Sequence, residues 1–82
     1  MINIPTIKEV IANSDYSLTI LFDNNIKKVY PAKNLQELNY FHILSSYSLF
    51  SSFKIEPGGY AISWNDEYDL SENELWQNGH TI

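Results

Sequence analysis

Eighty-two residues make one domain with room for a single modest core; a chain of this size buries roughly 60–65% of the surface it exposes when unfolded. An apolar fraction of 44%, with 15% aromatic, argues against disorder, and the absence of Cys excludes disulfides and thiolate metal sites. The net charge of −5 comes without a single Arg, which removes bidentate recognition of phosphate or guanine, and no apolar run approaches the ~18 residues of a membrane span.

In chain order, Ile4 to Ala12 alternates loosely and is expected to form a first strand with an irregular start at Pro5. Asn13-Ser14-Asp15 is a turn cluster. Tyr16 to Phe22 is aromatic and β-branched, with Tyr16, Leu18, Ile20 and Phe22 on one face. Asp23-Asn24-Asn25 marks a tight hairpin, because Asn tolerates the left-handed backbone that such turns need. Ile26 to Tyr30 returns as a third strand, which Pro31 ends.

The period then changes. Leu35, Leu38, Phe41, His42 and Leu44 follow helical spacing, which predicts a helix or two short helical turns between Asn34 and Ser52, broken near Ser45-Ser46. Phe50 and Phe53 are expected to plug the core. Lys54 to Glu56 and Tyr60 to Trp64 form a second hairpin around Pro57-Gly58-Gly59. An acidic loop follows, then a helix from Glu72 to Asn78. Ser71 and Glu74 fit a capping box at its start, and Gly79 is expected to stop it in the left-handed conformation, leaving residues 79–82 as a short mobile tail. The expected fold is α+β: an antiparallel sheet of four or five strands from two hairpins, covered by one or two short helices, in a single domain over residues 1–82 with its core at about 4–79.

This order of elements resembles a bacterial family, domain of unknown function 2442. The resemblance rests on Tyr16, Leu18, Ile20 and Phe22 before a turn, Phe41 and Leu44 near a helix end, and Phe50 and Phe53 leading into a strand. It continues with Ile62 and Trp64, then Asp69, Leu70, Ser71, Leu75 and Trp76, and so covers about Ile4 to Gly79. Asn25 stands where the family usually has a hairpin glycine, and Asn65 where a proline often follows the tryptophan. Some members of the family look like stand-alone partners of small toxin-like proteins; others are joined to helix-turn-helix domains.

The residues themselves carry no catalytic signature. Asn65, Glu67 and Asp69 mimic the first ligands of a calcium loop, but Leu70 replaces its glycine and Trp76 its closing glutamate. His42 and His80 are isolated, so no metal or other cofactor is expected. The serines lie in no nucleophile elbow, and the proline-glycine turn lacks the lysine and helix of a phosphate loop.

Charge is the strongest functional signal. Residues 1–54 hold all five Lys against four acids, while residues 55–82 hold Glu56, Asp66, Glu67, Asp69, Glu72 and Glu74 with no Lys. Such a surface repels nucleic acid and speeds encounter with positive surfaces, although a solvated loop and first-turn acids would show the same composition. Asp69, two residues before the helix cap, is also placed to satisfy first-turn amides or the backbone of the preceding loop. Trp64 and Trp76 suit the core, or an interface where exposed.

The leading expectation is a non-enzymatic protein-interaction module. It would be an antitoxin-like or regulatory partner of a small bacterial or mobile-element protein, binding a basic protein through Trp64, Asp66, Glu67, Tyr68, Asp69, Glu72 and Trp76. The alternative is a sensor or dimerisation part of a transcriptional regulator, and an enzyme comes third. A soluble cytoplasmic protein that pairs with itself, without direct nucleic-acid or membrane contact, completes the expectation.

Overall fold

The computed structural model describes residues 4–82. Its strands are all antiparallel and form two sheets, one of four strands and one of three. β1 (Ile7–Ala12), β2 (Leu18–Phe22) and β3 (Lys27–Tyr30) follow the expected first meander with shorter bounds, and Tyr16, at φ 65°, lies before β2 and not on its face. Leu18, Ile20 and Phe22 are fully buried, as their period-two spacing requires. Asn25 adopts φ 69° in the β2–β3 turn, where its amide donates to the Phe22 carbonyl at 2.9 Å. The register slips between Ile7 and Glu9, which marks a bulge in β1.

Pro31 ends β3 and stands at the start of α1 (Ala32–Glu37), so the helix begins earlier than its apolar spacing indicates. It also stops early. Asn39, at φ 63°, sits past its end; the Tyr40 amide donates to Leu35 and the Asn39 amide to Gln36, the paired bonds of a Schellman motif. The expected break near Ser45-Ser46 is present as well. A 3-10 turn (Ile43–Ser45) is followed by extended Ser46, whose hydroxyl caps α2 (Tyr47–Phe50) by accepting from the Leu49 amide.

The second hairpin, β4 (Lys54–Ile55) and β5 (Ala61–Ser63), turns through Pro57–Gly59 as expected. Gly59 has φ 74°, and a Cβ there would lie 2.4 Å from the Ile7 carbonyl oxygen, so only glycine fits. The chain then adds a strand inside the stretch expected to be an acidic loop. β6 (Asp69–Ser71) pairs with β5 and completes the second sheet.

α3 (Glu72–Asn78) has the expected bounds, and the Ser71 hydroxyl accepts from the Glu74 amide at 3.1 Å. Two expectations at its ends are corrected. Glu74 does not close the capping box; its carboxylate accepts from the Tyr30 hydroxyl at 2.6 Å, since a buried phenol needs a partner. Gly79 is extended, with φ −80° and ψ 158°, not left-handed. Glycine is needed there for space, because a Cβ would lie 2.6 Å from the Leu75 carbonyl oxygen. The extended conformation carries the chain into β7 (His80–Thr81), which pairs with β3 where a mobile tail was expected.

Both sheets contribute to one core. Leu18, Ile20, Phe22 and Tyr30 from the first meet Ile62 and Leu70 from the second, with Leu35, Ile43, Phe50 and Leu75 from the helical segments. Phe53 packs against this cluster from its margin. No helix among the described residues is long and apolar enough to cross a membrane.

Candidate functional site

The acidic connection between β5 and β6 is a tight loop with a defined shape. At its base the Trp64 amide donates to the Tyr68 carbonyl at 2.9 Å. Inside it, Asn65 Oδ1 accepts from the amides of Glu67 at 2.8 Å and Tyr68 at 3.1 Å, an Asx turn that fixes the backbone. Strand pairing of Ser63 with Asp69 clamps both ends. Asp66 and Glu67 are therefore presented on a closed turn, with their side chains exposed.

The loop is docked against the segment after α1. Tyr68 packs edge-to-face on Tyr40, with ring centroids 5.1 Å apart, and lies 6.0 Å from the His42 ring. The Tyr40 hydroxyl donates to the Asp69 carbonyl at 3.1 Å. Burial, and next the Asp69 charge, raise the Tyr40 pKa above its ordinary value and keep the hydroxyl protonated as a donor. Between these groups lies an open depression of about 540 Å³ lined by His42, Asn65, Asp66, Glu67 and Tyr68. Two carboxylates beside the Tyr68 ring suit an organic cation, chiefly through charge.

The other residues singled out by sequence lie elsewhere. Asp69 is exposed in β6, but the first-turn amides are met by other groups: Glu72 donates to the Tyr60 carbonyl and Glu74 to Ser71. Glu72 is half-buried in the first turn of α3, where a carboxylate is favoured by the helix dipole. Trp64 is half-buried; its indole N–H donates to the Phe50 carbonyl at 2.8 Å and its ring packs on Phe53. Trp76 packs edge-to-face on Phe22, with the Lys28 ammonium 4.0 Å from its ring centre. Both indoles are thus engaged with the fold and neither lines the depression.

His42 and Tyr40 are the contributions that sequence reasoning missed. The helical spacing of His42 suggested packing and Tyr40 carried no signal of its own; both follow the helix stop at Asn39. Asn65 could have been found: an Asn directly after a strand and before two acids is an Asx-turn signal. A second depression, of about 460 Å³, lies by α1 and α3 and mixes Lys33 and His80 with Glu37 and Glu74, so it has no single charge preference. Among the described residues no group of three or more His, Cys, Asp or Glu is gathered around a metal position.

A family model described as protein of unknown function (DUF2442) matches residues 7–81, nearly the whole chain. The chain belongs to this family. No curated protein and no solved structure matches it. The DUF2442 match spans both sheets and the acidic loop.

Proposed function

We propose that this DUF2442 domain is a non-enzymatic interaction module whose β5–β6 loop receives a basic side chain of a partner protein. The observation that carries the reading is the ordered Asx turn, which sets exposed Asp66 and Glu67 beside the rings of Tyr68 and His42. A pre-shaped loop loses little conformational freedom on binding, so the two formal charges act on a partner at little ordering cost. A cation entering the depression gains from both carboxylates and from the flanking rings. Asp69 and Glu72 add to the negative field around the loop, which favours encounter with positive protein surfaces and disfavours phosphate. A small basic protein of the toxin-like kind suits this surface, which makes an antitoxin-like or regulatory role the form of the proposal.

The test is an NMR titration of the isotope-labelled chain with an arginine- and lysine-rich peptide, an acidic control peptide and a DNA duplex. Salt-sensitive shifts centred on His42 and residues 65–68 with the basic peptide alone are expected. Tight duplex binding, or a basic peptide that shifts none of these residues, would sink the proposal.

A further inference from the structure

The outer face of the first sheet carries the residues that alternate with the buried cluster. On β2 the buried residues are Leu18, Ile20 and Phe22, so Thr19 and Leu21 point the other way. Strand register extends this face across the neighbours. Glu9, Leu21 and Lys27 form one row; Ile11, Thr19, Val29 and His80 form the next. Leu21 and Val29 stand outside the cluster that packs around the core, and Ile11 is 58% exposed.

The first row has opposite charges at its ends and a leucine at its centre. A two-fold axis laid along β2 turns β1 of one copy over β3 of another and keeps every residue at its own height along the strands. Glu9 then faces Lys27 of the second copy, twice over, while Leu21 meets its own counterpart. In the next row Ile11 meets Val29. We propose that this face is the surface through which two copies of the chain associate, as a face-to-face pair of sheets with Glu9–Lys27 contacts at its rim. The occupant is a second copy because the pattern complements itself under that rotation. The six acids of residues 55–82 lie on other elements, so the face is not dominated by the chain's negative charge. Strands about 4.8 Å apart and four to six residues long make a small patch, which places the pair among weak associations.

Sedimentation equilibrium of the full chain over concentrations of about 10–500 μM tests this. The wild type should dimerise. Glu9→Lys or Lys27→Glu alone sets like charges opposite each other and should weaken association about tenfold or more, whereas the two together should restore it. Both positions are exposed, and circular dichroism of each variant is the check that it is folded. A 9.5 kDa monomer throughout, as a face covered by a different protein would give, overturns the proposal. So does a dimer indifferent to the single reversals, or a double variant no better than either.

Discussion

The β5–β6 loop and helix α3 are neighbours in sequence, carry the same kind of side chain, and use it in opposite ways. In α3 the Glu74 carboxylate is drawn into the fold, where it accepts from the Tyr30 hydroxyl, and Glu72 is half-buried in the first turn. In the loop, Asp66 and Glu67 are held out on an Asx turn made by a neutral residue, Asn65. Glu56 belongs with the first group, since its carboxylate accepts from the buried Ser63 hydroxyl. An acidic third of a chain is therefore two things at once: some charges finish the domain and others face outward. The difference predicts that α3 variants alter stability and loop variants alter binding.

The largest effect should come from removing the anchor of α3. Leu75 is fully buried, and Leu75→Ala should destabilise the domain by about 2–5 kcal/mol, through lost burial and the cavity left behind. Urea denaturation would measure it. A loss below about 1 kcal/mol would mean that α3 is only loosely docked and that the contrast with the loop is false.

Tyr30→Phe comes next, at about 1–2 kcal/mol, because it deletes the hydroxyl that donates to Glu74. Burial of Tyr30, and then its bond to Glu74, push its pKa well above 10.0. The folded state thus holds that proton more tightly than the unfolded chain. The stabilisation is complete below about pH 10, where the unfolded tyrosine still keeps its proton, and declines as pH rises further. The stability gap between wild type and Tyr30→Phe should be flat at neutral pH and narrow above about pH 10; a gap that widens there would contradict the hydrogen-bond assignment.

Ser71→Ala removes the cap of α3 and should cost roughly 0.5–2 kcal/mol. Hydrogen exchange should show the amides of the first helical turn opening more readily than those around Leu75. Uniform acceleration over the whole chain would place Ser71 in a general packing role instead of a local one.

How much of this was legible before the structure varies with how local each signal is. The bounds of α3, the Asn25 turn and the Pro57–Gly59 turn could be read because their causes lie within a few residues: a hydroxyl three positions before an amide, or a residue tolerant of positive φ. β6 and β7 could not. Asp69–Ser71 and His80–Thr81 have no strand-like run of their own and are extended because β5 and β3 offer them unpaired edges. Those two short strands raise the first sheet to four strands and the second to three. At Gly79 the residue was informative but its reason was not, because the close approach of the Leu75 carbonyl is invisible in sequence. For the site, Asp66, Glu67 and Tyr68 were in the expected set and are brought together. Trp64 and Trp76 went to packing, and Tyr40 meets the loop across the chain, its hydroxyl donating to the carbonyl of Asp69, 29 residues on.

The central claim is that Asp66 and Glu67 serve binding and not folding. The most direct measurement compares wild type with the Asp66→Lys, Glu67→Lys double variant for both properties in one buffer: urea stability, and stopped-flow association with the basic peptide across a range of salt concentrations. Stability should change by less than about 0.5 kcal/mol, because both side chains are exposed. The association rate of the wild type should fall as salt rises, and the double variant should lose both the fast association and its salt dependence. Unchanged association in the double variant, or a stability loss as large as that of Leu75→Ala, would contradict the division of labour between the loop and the helix.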